Sequence, residues 1–253
     1  MKFSANLGFL WHDRPLPEAI VAAKAAGFHG VECHFPYETD PAEVKAALDA
    51  TGLPMVGINT VHGDVVAGEF GLAALPGREA DARRAIDQAV GYAAEIGARN
   101  VHVLAGNSSG SGAMGTFVAN LAYAAESASE WGINILIEPL NPRSNPGYFL
   151  NSSTLAKAIL QELDLPNVKL MFDCFHIQII EGDLLNRATE LMPLIGHIQF
   201  AGVPQRHEPD TGEVCYDWLL PKLVEAGYEG YFGAEYRPSV AVEAGLGWMS
   251  AYH

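Results

Sequence analysis

A (β/α)8 TIM barrel is the fold this sequence predicts, and three observations predict it. Apolar, β-branched runs alternate with Ala-rich helical segments along all 253 residues, the pattern of parallel strands joined by crossover helices. The entry to each strand repeats one theme, a helix end, a glycine or short turn and then an apolar run, as in AAGFHGVE, EIGARNVHV, EWGINILIE and EAGYEGYFGAE. Eight βα units in a chain of this length match the size of such a barrel. A doubly wound sheet is the rival, but no GxGxxG follows the first strand. No linker or break in composition divides the chain, so one domain over residues 1–253 is expected.

KFSANLG reads as the first strand, and PLPEAIVAAKAAG as a helix closed by Gly27. GVECHF, the helix PAEVKAALDATG and the strand MVGINTV follow. A long loop, HGDVVAGEFGLAALPG, leads into the helix READARRAIDQAVGYAAEIG, which ends at Gly97. NVHVLAG, INILIEPL, VKLMFDC, GHIQFAG and GYFGAEY complete the strands. In a barrel their C-terminal ends ring one mouth, where such folds place their chemistry.

Composition excludes several classes of function. The net charge of −15 and the lack of any Lys/Arg run argue against nucleic acid, which needs a basic footprint. No stretch approaches a membrane helix, and the N-terminus lacks the apolar segment of a signal peptide. Cys33, Cys174 and Cys215 are odd in number and far apart, which suits a reducing cytoplasm. The expected partner is a small molecule, with no nucleic acid and no membrane; a homo-oligomer is also expected.

The last four strands each close on a metal-ligand type of residue: Glu138 (NILIEPLN), Asp173 (VKLMFDCFH), Gln199 (GHIQFAG) and Glu235 (GYFGAEYRP). Buried carboxylates are rare unless paired or bound to a cation. The plainer reading, that each acid caps a helix or pairs with an arginine, competes for any one of them. Four in register indicate an oxygen-rich cage, and hard oxygens favour Mg²⁺ or Mn²⁺ over zinc. Asn6, Glu32 and Asn59 are placed on the same rim by the earlier strands.

His176, three residues after Asp173, can face the mouth and hydrogen-bond a substrate oxygen. His197 and Gln199 leave their strand on one face, so His197 is either an orienting residue or a barrel histidine. His12, His102, His207 and His253 read as surface or packing residues. Arg206 (GVPQRHEP) lies within reach of the mouth, where its planar fork suits a carboxylate or vicinal oxygens. A surface pair with Glu208 or Asp210 is the competing reading. Arg78 opens a helix against the macrodipole. AGNSSGSGAMG lacks a P-loop ending and reads as a loop over the mouth.

These segments resemble the hydroxypyruvate isomerase family, among the xylose-isomerase-like TIM barrels. The resemblance runs through ANLGFLW, AGFHGVE, NTVHGD, GEFGLAALPGRE, NVHVLAG, IEPLN, DCFH, HIQFAGVPQRHEP and EYRPSVAVEAGLGW. It implies that Glu138, Asp173, Gln199 and Glu235 are metal ligands, with Glu138 and Glu235 the paired acid/base residues. His176 and Arg206 match positions that contact substrate oxygens in related sugar epimerases. The implied reaction is isomerisation of hydroxypyruvate to tartronate semialdehyde through an enediolate. His62, and Cys33 with His34, depart from the family pattern near the expected mouth, which leaves substrate identity more open than reaction type. A 2-oxo-tetronate isomerase is the nearest alternative and a ketose 3-epimerase the next, though the latter usually has His in place of Gln199. A DNA-repair endonuclease would need more His ligands and a basic face, and a non-catalytic sugar binder would not need both acid/base glutamates.

Overall fold

In the computed structural model, which describes residues 1–252, eight parallel strands close into a barrel in sequential order. They are β1 (Lys2–Asn6), β2 (Gly30–Cys33), β3 (Met55–Asn59), β4 (Asn100–His102), β5 (Asn134–Ile137), β6 (Val168–Asp173), β7 (Ile195–Phe200) and β8 (Tyr231–Ala234). The barrel reading is borne out. His253 lies outside the described residues.

The crossover helices are α1 (Leu16–Ala25), α2 (Pro41–Thr51), α3 (Glu79–Ile96), α4 (Ala113–Ser129), α5 (Ser153–Leu163), α6 (Cys174–Ile180), α7 (Leu184–Leu191) and α8 (Tyr216–Glu225). Local chemistry sets their ends. Asp40 accepts the Ala42 N–H at 2.8 Å to start α2, and Ser152 accepts from Leu155 at 3.2 Å to start α5. Gly97 ends α3 at φ 72°, as expected. Arg78 sits at the N-terminus of α3 because it ion-pairs with Asp81 in the first turn and with Glu69 in the preceding loop. After β8 the chain runs as a 3₁₀ segment, Val242–Tyr252, whose Trp248 packs edge-on against Phe3 and Phe200.

Strand alternation divides the side chains into two sets. Ile198 and Phe200 of β7 join the apolar layer beneath the helices, as do Phe3, Phe172 and Phe232. His197 and Gln199 alternate with them and turn inward, meeting Glu32 from β2. The barrel axis is therefore lined with hydrogen-bonding groups near its C-terminal end. Gly233 makes room for them: a Cβ there would lie 2.3 Å from Glu32 Oε1 and 2.8 Å from His197 Nε2.

Candidate active site

The strand ends bring the acids together as parallel register requires. Asp173 ends β6 beside Gln199 of β7, while Glu138 and Glu235 each follow the last residue of their strand. All four are buried. Glu138, Glu235, His176 and Arg206 line a cavity of about 600 Å³ at the barrel mouth. Asp173 lies behind them, 1% exposed. Gln199 lines a smaller void of about 10 Å³ further down the axis, with Asn6, Glu32 and His102 among its neighbours.

Asp173 makes both contacts of the plainer reading at once. Its Oδ1 accepts the Phe175 N–H at 2.8 Å, capping α6, and its Oδ2 accepts from Arg206 Nη2 at 3.3 Å. The same Nη2 donates to Glu235 Oε2, and Arg206 Nε donates to the Glu235 carbonyl at 3.3 Å. Arg206 thus pairs with two buried acids rather than with Glu208 or Asp210. Its guanidinium lies over the rings of Phe9 and Phe175, at 5.1 and 4.9 Å. Its backbone is held at φ 60°, a conformation uncommon for any residue but glycine, by an N–H donated to the Gly202 carbonyl at 2.7 Å.

Glu235 also accepts from Asn6 Nδ2 at 3.1 Å and lies 2.7 Å from His34 Nε2. Gly8 admits His34 to this position, since a Cβ on Gly8 would fall 2.1 Å from the imidazole Nδ1. Glu138 has different company. His102 Nδ1 is 3.6 Å from its Oε2, and His176 Nε2 is 4.0 Å from its Oε1. His102, expected as a surface or packing residue, is buried and also lines the cavity, because register carries it to the same end of the barrel. None of residues 105–115, the segment expected as a loop over the mouth, is among the residues that line the cavity.

The two glutamates are pushed in opposite directions. Burial raises Glu138 well above the ordinary carboxyl range, and the nearby Glu235 and Asp173 charges push it the same way. Burial acts upward on Glu235 too, but Arg206 and His34 override it and hold the group down at about 2. Asp173 is raised to about 7, chiefly by burial, with Arg206 opposing. Desolvation lowers His102 to about 3 and His176 well below its usual value, so both rings are neutral near pH 7.

Hydrogen bonding fixes the tautomer of His176. The Asn141 backbone N–H points at Nδ1 from 2.8 Å, and the Asn141 side-chain amide, whose Oδ1 is occupied by the Ser144 N–H, does the same. Nδ1 must then be the acceptor, and the ring proton sits on Nε2, 3.7 Å from Asp173 Oδ2. Glu138, Asp173 and His176 form a grouping close enough for a cation, but Nε2–H faces it as a donor, not as a ligand. A hydrogen bond to a substrate oxygen is what this ring can offer.

The residues present fit a cation. Glu138 Oε1 and Gln199 Oε1 are buried oxygens with no hydrogen-bond partner, an expensive arrangement unless something positive reaches them. Arg206 is the one arginine or lysine ion-paired within this group among the described residues, facing Glu138, Asp173 and Glu235. All the candidate ligand atoms are hard oxygens.

Comparison with known proteins agrees with this architecture. A profile of the xylose isomerase-like TIM-barrel family matches residues 20–252. This chain belongs to that family. Within it, the 2-oxo-tetronate isomerase of Cupriavidus necator is 46% identical over 255 residues, covering 99% of this chain and 98% of the relative. The hydroxypyruvate isomerase of Escherichia coli is 37% identical over 256 residues, covering 100% and 99%. The crystal structure of AP endonuclease, family 2, from Brucella melitensis superposes with a TM-score of 0.96 at 38% identity, covering 100% and 99% of the two chains. The xylose isomerase-like family thus includes full-length relatives of this chain named for isomerisation.

Sequence reasoning put Asn6 on the rim and His34 near the mouth without giving either a role, and it missed His102 and Arg237 as cavity-lining residues. His34 and Arg237 lie in loops just past strand ends, where residue type alone does not separate a site residue from a surface one.

Proposed function

We propose that this protein is a metal-dependent isomerase of short 2-oxo-3-hydroxy acids, with hydroxypyruvate first and tartronate semialdehyde as its product. The observation that carries this reading is the pair Glu138 and Glu235, two buried carboxyls on one cavity whose surroundings drive their proton affinities apart. Such a pair suits the removal of a proton from one carbon and its return to the next. Glu138, Asp173, Gln199 and Glu235 would hold Mg²⁺ or Mn²⁺, which supplies positive charge where enediolate charge develops.

Glu235, kept ionised by Arg206 and His34, takes the proton from C3 of the substrate. The electron pair moves into the C2–C3 bond, leaving negative charge on the former C2 carbonyl oxygen. Glu138 then delivers a proton to C2, and transfer of the hydroxyl proton from the C3 oxygen to the C2 oxygen leaves the aldehyde at C3. His176, whose Nε2–H faces the acids, donates to the substrate oxygens during this exchange.

2-Oxo-tetronate, which carries the same 2-oxo-3-hydroxy pattern on four carbons, is the second reading. The 46%-identical relative of that name favours it, and a cavity of about 600 Å³ has room for the longer chain. A DNA-directed role is disfavoured by the net charge of −15.

The test is to incubate the protein with hydroxypyruvate in D₂O, with Mn²⁺ or with EDTA, and to follow the products by NMR. Expected are tartronate semialdehyde carrying deuterium at C2 and loss of turnover on chelation. Turnover of neutral ketoses alone would move the assignment to an epimerase. Asp173→Ala should remove stoichiometric Mn²⁺ binding measured by calorimetry.

A further inference from the structure

The cavity at the barrel mouth is lined by two arginines, Arg206 and Arg237. They are in opposite situations. Arg206 is 16% exposed in its side chain, and its Nε and Nη2 are engaged by Glu235 and Asp173. Its charge is already met by two acids. Arg237 is exposed, and its guanidinium makes no hydrogen bond or ion pair among the described residues.

Arg237 is nevertheless a placed side chain. Its guanidinium carbon lies 5.4 Å from the centre of the Phe9 ring, the ring that also carries Arg206. Its backbone is tied at both polar groups: the N–H donates to the Arg206 carbonyl at 2.7 Å, and the carbonyl lies 2.8 Å from His207 Nδ1. A guanidinium held on an aromatic face keeps its N–H edge free for a planar anion. The surrounding chain carries a net charge of −15 and does not draw anions from a distance.

We infer that Arg237 is the carboxylate anchor of this cavity and selects acidic substrates over neutral sugars of the same length. This inference rests on the proposed isomerase reading and deepens it. The substrate's C1 carboxylate meets the open fork of Arg237 at the outer end of the cavity, while C2 and C3 lie between Glu138 and Glu235. Arg206 is left to hold Glu235 and Asp173, so the two arginines divide the work between substrate anion and site acids.

Hydroxypyruvate and dihydroxyacetone make a matched pair for the test, since they differ only in carboxylate against hydroxymethyl. Binding of each to the Mn²⁺-supplemented protein is measured by calorimetry alongside kcat/KM, for wild type, Arg237→Ala and Arg237→Lys. A lost charged hydrogen bond should weaken hydroxypyruvate binding about ten- to a hundred-fold in Arg237→Ala. The preference for hydroxypyruvate over dihydroxyacetone should collapse by the same factor. Arg237→Lys, which keeps the charge but not the fork, should fall between. Equal weakening of both ligands, or of neither, overturns the anchor. Wild-type protein that binds hydroxypyruvate through Arg237 without converting it would leave the anchor standing and overturn the isomerase reading. Failure of wild type to bind hydroxypyruvate overturns both.

Discussion

Gln199 donates its side-chain N–H to Glu32 Oε2 at 2.6 Å, and its carbonyl oxygen is left buried without a partner. Glu32 is itself held by the Ser4 hydroxyl at 2.7 Å and lies 3.2 Å from His197 Nε2. An acceptor-only carboxylate on one side decides which end of an amide faces the other. Glu32 therefore holds the amide nitrogen of Gln199 and leaves its oxygen on the side away from Glu32. Glu32→Gln, which preserves volume but ends that discrimination, should weaken Mn²⁺ binding about 10–100-fold by calorimetry. Unchanged affinity would show that Gln199 is oriented without Glu32.

Glu138→Gln and Glu235→Gln should each lower kcat for hydroxypyruvate by about 10²–10⁴-fold, the range for general acid/base groups. Bound metal must be measured in the same samples, because metal loss alone would mimic the effect. A variant that keeps full turnover removes that glutamate from proton transfer.

Arg206→Ala should destabilise the metal-free protein, since Asp173 and Glu235 then lose their shared cation. Breaking a buried pair costs roughly 3 kcal/mol, equivalent to a Tm lower by about 6–12 °C for a domain of this size. Saturating Mn²⁺ should shrink the gap by supplying charge to the same oxygens. A calorimetric scan showing an equal gap with and without Mn²⁺ would place the stabilising role of Arg206 outside the acid cluster.

Thiol labelling should follow burial. Desolvation raises Cys33 to about 12, the Phe35 N–H opposing it, and also raises Cys174 well above its ordinary value; Cys215 is exposed. A raised thiol stays protonated, and its contribution to stability persists below the ordinary value near 9 and fades as pH rises through about 12. Because the thiolate is the nucleophile, iodoacetamide at pH 8 should modify Cys215 alone in the folded protein. Mass spectrometry showing rapid modification of Cys33, which is half-buried, at that pH would show that its thiol is not held protonated.

Much of this protein was legible in one dimension because its repeating unit is local. Alternation of strand and helix, glycine at helix ends and an oxygen-bearing residue at each late strand end are patterns within about 30 residues. Parallel closure then brings Glu138, Asp173, Gln199 and Glu235 to one end of the barrel whatever the loops do. Residues in loops obey no such rule. Whether Arg206 pairs with its neighbour Glu208 or with Glu235, 29 positions away, depends on a backbone held at φ 60° and on two aromatic rings. His102 read as a surface or packing residue because the sequence shows no partner for it, yet the acid it approaches follows the adjacent strand. The tautomer of His176, the orientation of the Gln199 amide and the opposite proton affinities of Glu138 and Glu235 are set by groups brought close only by folding. Hydrogen bonds and charges act across a few ångströms of space, and only tertiary structure decides which residues share them.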